Sequence, residues 1–136
     1  MKASAGPRGK DSAKARGEND ARLHAVAVAN IAEERRGRDI SVLHVEKAIL
    51  ITDYFILVSA RNRRQIQAIA KDATDYLRKE AGYPNVHVEG LSQASWVLVD
   101  AGPLVLHVFR DDLRDYYDLE LLWGDSPVVA WQKAKE

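Results

Sequence analysis

The sequence predicts an α+β domain, a mixed sheet of about five strands with flanking helices packed on it. Three observations predict it. Helical and strand patterns follow one another in the order α-β-β-α-β-β-β-α. The run "DYFILVSA" is apolar almost throughout, as a strand buried on both faces should be. The run "NRRQIQAIAKDATDYLRKEAG" sets Ile66, Ile69, Ala70, Ala73 and Leu77 on one helical stripe.

The elements follow in order. Residues 1–20 are small, charged and glycine-containing, with no apolar face to bury, so a mobile tail is expected there. Leu23 to Arg36 reads as a helix with Leu23, Val26, Ala27, Asn30 and Ile31 on its stripe. Asp20 is its expected N-cap and Gly37 its left-handed stop. "DISVLHVEKA" is a β-branched strand, joined by "EKAILIT" to the apolar strand above. In the second helix Asn62 and Gln65 form a capping-box variant, and Gly82 and Pro84 end it.

Three short strands come next: "NVHVEG", "SWVLVDAG" and "LVLHVFR", the last two joined as a hairpin around "AGP". Strand alternation puts Trp96, Leu98 and Asp100 on one face, and Val105, His107 and Phe109 opposite Leu104, Leu106 and Val108. The last helix opens at Asp111 or Asp112, where the helix dipole favours acids, and stops at Gly124 and Pro127.

Composition narrows the function. The 136 residues contain no cysteine, which removes disulfides, thiolate metal sites and a cysteine nucleophile. No apolar run reaches the roughly 18 to 20 residues of a membrane helix, and no signal core opens the chain, so a cytoplasmic location is expected. Residues 1–22 carry +3 and the remainder −3, so the expected folded part has no basic excess for gripping a duplex. Residues 111–125 hold six acids against Arg114, a sign that repels phosphate and attracts a basic partner.

Catalytic patterns are missing. The histidines, His24, His44, His87 and His107, have no partner at ligand spacing on one helix, and His87 with Glu89 on one strand face makes two ligands at most. No serine sits in a nucleophile elbow and no glycine pattern cradles phosphate. A nucleotidyltransferase-like enzyme, the alternative reading, needs paired carboxylates on a strand; Asp53 and Asp100 each stand alone. No cofactor or small-molecule substrate is expected. "RNRR" at 61–64 is a basic patch without interleaved aromatics, read as an exposed helix surface with room for a minor ribosomal RNA contact.

"HVEG", "WVLVDAG", "LVLHVFR" and "RDYYDLELLWGDSP" follow one another closely. With "ITDYFILVSA" and Arg64–Gln65 they resemble the ribosomal silencing factor family, also called Iojap-like. The resemblance covers about residues 23 to 127, within a domain placed at 21–127 between the tail and a C-terminal extension, 128–136. Two loops depart from the family pattern, at Ala60 to Asn62 and at Pro103.

The resemblance implies a nucleotidyltransferase-like topology without the catalytic residues, and no enzymatic activity. It implies binding to the large ribosomal subunit through its protein L-fourteen. It implies a steric block to small-subunit joining that lowers translation when nutrients are scarce. It also implies self-association as a dimer. A role in large-subunit assembly is the other alternative. Trp96 and Tyr117 match the positions implied to meet the ribosomal protein, with Asp100, His107, Asp118, Glu120 and Trp123 in the same motifs. An aromatic anchor would supply buried area, and an acidic rim would steer a basic partner.

Overall fold

The computed structural model describes the backbone of residues 9–45, 52–117 and 126–132, and the side chains of residues 20–45, 52–114 and 126–132. Its elements are helix α1 (Gly9–Glu34), strands β1 (Arg38–His44) and β2 (Tyr54–Ala60), and helix α2 (Arg63–Asp75), which continues as a π-helical turn, Tyr76–Glu80. Strands β3 (His87–Glu89), β4 (Trp96–Asp100) and β5 (Leu104–Arg110) and helix α3 (Asp111–Tyr117) follow. The five strands form one mixed sheet in the order β1-β2-β5-β4-β3, in which only β2 and β5 run parallel. The expected α+β architecture is therefore observed.

The two faces of the sheet differ. Ile56, Val58, Leu104, Leu106, Val108, Val97 and Val99 point into the main core beneath α1 and α2. Ile66, Ile69, Ala70, Ala73 and Leu77 close that core from the α2 side, as their spacing predicts. The other face carries Leu43, Val45, Phe55, Leu57, Val105 and Phe109, with Trp96 and Leu98 at its margin. α3 packs on this second face, where buried Arg114 donates from Nη1 to Ser59 Oγ at 2.9 Å. β2 is buried at every position, consistent with cover on both faces.

α1 departs from expectation twice. It begins at Gly9, so Asp20 lies inside the helix rather than capping it, and residues 9–20 of the expected tail have helical backbone. Lysine, alanine, arginine and glutamate propagate a helix readily once its packed turns have formed. The buried face is also a different one. Ala21, Ala25, Val28, Ala29 and Ala32 are sealed in the core, while Leu23 is 66% exposed and Val26, Ala27, Asn30 and Ile31 are half-buried. A face of alanines lets the helix approach the sheet closely. The larger side chains border an open groove with Tyr76 and Trp131.

Residues 126–132, which straddle the expected boundary at 127, lie against the body. Val128 bridges to Leu43, and buried Val129 donates its N–H to Val42 O at 2.8 Å. Asn30 Nδ2 donates to Trp131 O at 2.9 Å, which explains an amide on an otherwise apolar stripe.

The end of α1 holds a third difference. The left-handed residue is Arg36 (φ 65), not Gly37. Gly37 N–H donates to Ala32 O and Arg36 N–H to Glu33 O, each at 2.8 Å, the bonding of a Schellman stop centred on Arg36. Glycine is needed one position later for space, because a Cβ on Gly37 would lie 2.7 Å from Val58 Cγ1 and 3.0 Å from Ala32 O. Gly37→Ala is expected to destabilise the fold by about 2 kcal/mol, through overpacking against β2. Urea unfolding checks this, and an unchanged midpoint would refute the contact.

Candidate functional site

Cross-strand register assembles the second face. Trp96 lies opposite Phe109, Leu98 opposite His107, and Asp100 opposite Val105. Phe55 pairs beside Val105 and Leu57 beside His107 on the other flank of β5. Trp96 rests on Phe109 with ring centroids 5.0 Å apart, and its Nε1–H donates to His107 Nδ1 at 3.2 Å. Phe55 meets His107 edge-on at 4.6 Å. Trp96 is thus held in one orientation while remaining half-buried, which suits an aromatic anchor.

The turn before β4 sets Trp96 in place. Gly90 has φ 91, and a Cβ there would overlap the Trp96 carbonyl oxygen. Gly90, the last residue of "HVEG", therefore belongs to the seat of Trp96, although the motif alone did not single it out. Asp100 ends β4 half-buried, and its Oδ1 accepts the Gly102 N–H at 2.8 Å within the hairpin turn.

His107 lies underneath this patch. It is 6% exposed, because β5 is covered on both faces. Burial pushes its pKa down to about 4, and the nearby Arg114 guanidinium adds to the shift, so the ring is neutral around pH 7. An indole nitrogen only donates, so Nδ1 accepts and the ring proton sits on Nε2. That Nε2 and Thr52 Oγ1 are buried without a hydrogen-bond partner among the described residues. The residues Thr52 and His107 border one cavity of about 380 Å³, together with Phe55, Leu98, Asp100, Gly102 and Val105, but these two atoms are themselves closed to solvent.

The acidic stretch carries less free charge than its count suggests. Asp111 pairs with Arg38 at 3.0 Å and Asp112 with Arg110 at 2.7 Å. Tyr117 closes α3, but its side chain and all of Asp118, Glu120 and Trp123 lie outside the described residues.

At the same end of the sheet, where Ala60 pairs beside Arg110, the C-terminal end of α1 meets the start of α2. Gln65 Nε2 donates to Arg35 O and Arg36 O at 2.9 Å each, while its Oε1 accepts Arg61 N–H at 2.7 Å and its N–H reaches Asn62 Oδ1 at 2.9 Å. This is a capping box displaced by one residue, and it extends the "RNRR" patch with Arg35 and Arg36 around a shallow cleft. Arg35 is engaged by Asp72 at 2.6 Å.

His87 and Glu89 do share a strand face and meet at 3.2 Å, both exposed. Among the described residues no three His, Cys, Asp or Glu side chains gather at metal-binding distance. No described helix is long and apolar enough to cross a membrane.

Comparison with known proteins places this architecture. Residues 18–136 match the family described as "Ribosomal silencing factor during starvation". The chain is 42% identical over 97 residues to the ribosomal silencing factor of Bacillus subtilis, covering 71% of this chain and 81% of that one. A crystal structure of a Chromobacterium violaceum protein superposes with a TM-score of 0.69 at 35% identity, covering 83% of this chain and 89% of its own. A mouse protein named for mitochondrial assembly of the large ribosomal subunit is 30% identical over 98 residues, 71% of this chain and 43% of that protein.

Proposed function

The chain belongs to the ribosomal silencing factor family, and from that premise we propose that it binds the large ribosomal subunit through protein L-fourteen. The bound protein sterically blocks the small subunit from joining and lowers translation when nutrients are limiting, without catalysis, in the cytoplasm. The observation that carries this reading is the Trp96 patch: an aromatic side chain fixed by Phe109 and His107 on the sheet face away from α1 and α2. A rigid, half-buried tryptophan loses little freedom on binding and supplies large contact area. Asp100, at the other end of β4 on the same face, with Tyr117, Asp118, Glu120 and Trp123 following on, completes the proposed contact surface. His107 contributes from beneath, by orienting Trp96.

The arginines around Gln65 supply a minor contact to ribosomal RNA from the same end of the sheet, and a homodimer is a further association of the free protein. Subunit joining tests the block. Preincubating large subunits with the protein should reduce the joined-ribosome peak in a sucrose gradient when small subunits are added. An undiminished peak at saturating protein would remove it.

A second reading, docking during large-subunit assembly, is favoured by the name of the mouse relative. Comparing affinity for immature and mature large subunits separates the two. Stronger binding to the immature particle supports assembly, and equal or stronger binding to the mature one supports silencing.

A further inference from the structure

α1 carries two apolar stripes, and the fold buries only one. The alanine stripe seals the core, while Leu23 is 66% exposed and Val26, Ala27 and Ile31 are half-buried. These larger side chains border a groove of about 840 Å³ between α1 and α2, and Tyr76 and Trp131 complete its apolar wall. A contiguous apolar surface with a polar rim marks a docking site more than a solvated face.

The rim is acidic. Glu34, Asp72, Asp75 and Glu80 line the groove against one base, Lys79. Asp72 and Asp75 are engaged by Arg35 and Lys71, at 2.6 and 2.8 Å. Glu34 and Glu80 are exposed and form no ion pair among the described residues. Each closes its helical segment, Glu34 as the last residue of α1 and Glu80 as the last of the π-helical turn. The helix dipole disfavours an acid there, so helix stability does not account for either. Gln65 ties the end of α1 to the start of α2, and His24 meets Tyr76 with ring centroids 6.1 Å apart, so the two helices run antiparallel. Glu34 and Glu80 therefore stand at opposite ends of the groove, with the apolar stripe between them. Leu23 to Glu34 spans about 16 Å, roughly three helical turns.

These features select the occupant. Phosphate would meet acids at both ends. A second copy laid groove to groove would set Glu34 and Glu80 against the same acids. An extended segment would find the backbone of α1 and α2 already bonded within the helices, whereas a helix satisfies its own backbone. Residues 133–136, which follow Trp131 and Gln132, hold no apolar side chain larger than alanine and would leave the stripe uncovered.

We propose that the groove receives an amphipathic helix of a second protein, about three turns long, with an apolar stripe flanked by lysines or arginines. The stripe packs on Leu23, Ile31, Tyr76 and Trp131, and the cations meet Glu34 and Glu80. The Trp96 patch lies on the other face of the sheet, so this site is separate from the proposed ribosomal contact.

The probe is a synthetic helical peptide of about twelve residues, with leucines at i, i+3, i+4 and i+7 and lysines elsewhere. One comparison peptide has glutamate for every lysine, and another scatters the same leucines off the stripe. NMR of the full chain follows binding through the Trp131 indole and the backbone amides of Leu23 and Ile31. The lysine peptide should bind saturably and shift those signals, and both comparison peptides should bind at least about tenfold more weakly. Glu34→Lys combined with Glu80→Lys should weaken the lysine peptide by a similar factor and admit the glutamate peptide. Leu23→Ser should weaken the lysine peptide and leave the urea unfolding midpoint unchanged. Absence of binding, equal binding of either comparison peptide, or an unchanged preference after the double charge reversal would overturn the site. So would shifts confined to the Trp96 face. The same shifts on concentrating the protein alone would assign the groove to a second copy and overturn the second protein.

Discussion

Trp96→Ala is expected to lower affinity for isolated large subunits by at least about thirtyfold, the loss of an interface hot spot. The indole is half-buried, tilted against Phe109 and hydrogen-bonded to His107, so it enters a complex already ordered. Truncation also removes packing inside the protein and should cost about 2 kcal/mol of stability. Trp96→Phe separates the two effects. It keeps a ring on Phe109, loses the N–H and the outer edge, and should retain most of the stability while losing much of the affinity. Circular dichroism and equilibrium binding read both quantities. Full affinity of the alanine variant would remove Trp96 from the interface.

The second large effect is acid destabilisation centred on His107. Its pKa is about 6.5 when unfolded and is pushed down to about 4 by burial in the folded protein. Between those values the unfolded chain takes up a proton that the folded chain refuses. The contribution of the neutral ring is therefore complete above about pH 6.5 and is lost as pH falls toward 4. By pH 4.5 the loss is on the order of 2 kcal/mol. His24, lowered by burial, acts in the same direction. Urea unfolding of wild type and His107→Phe at pH 7.5 and 4.5 isolates the His107 share. The wild type should lose about 2 kcal/mol more than the variant, and parallel losses would refute a buried neutral His107.

Much of the fold was legible because it depends on periodicity. The α2 stripe and the β4 and β5 alternation are set by side chains whose size and polarity report their burial. α1 misled for a physical reason. Its sequence holds two apolar stripes, and the one with larger residues, Leu23, Val26 and Ile31, is not the buried one. Close helix-sheet packing selected alanine, a residue whose small size makes its burial hard to predict from sequence. The same close approach moved the left-handed stop to Arg36, because Gly37 is needed against Val58.

The site was legible as a motif and less so as geometry. Trp96, Leu98 and Asp100 share a face as alternation requires, but nothing local shows that β5 is covered on both sides and hides His107. The ion pairs of Asp111 and Asp112 are set by different distances along the chain. Arg110 lies two residues before Asp112, whereas Arg38 lies 73 residues from Asp111 and is brought in by the fold. A charge count over one segment overstates the acidic rim for that reason. Thr52 and Gly90 carried no signal of their own. Their parts arise from a cavity and from a backbone approach that exist only once β4 and β5 are paired.

On the proposed function, this chain holds the large subunit on the face that the small subunit needs. Co-sedimentation through a sucrose cushion tests it most directly, with equal concentrations of isolated large subunits and of tightly coupled ribosomes. Recovery is expected with the isolated large subunit and none above background with the joined ribosome, because this chain and the small subunit exclude each other. Equal recovery with both particles would contradict it, since a protein that binds the joined ribosome cannot be blocking the joining surface.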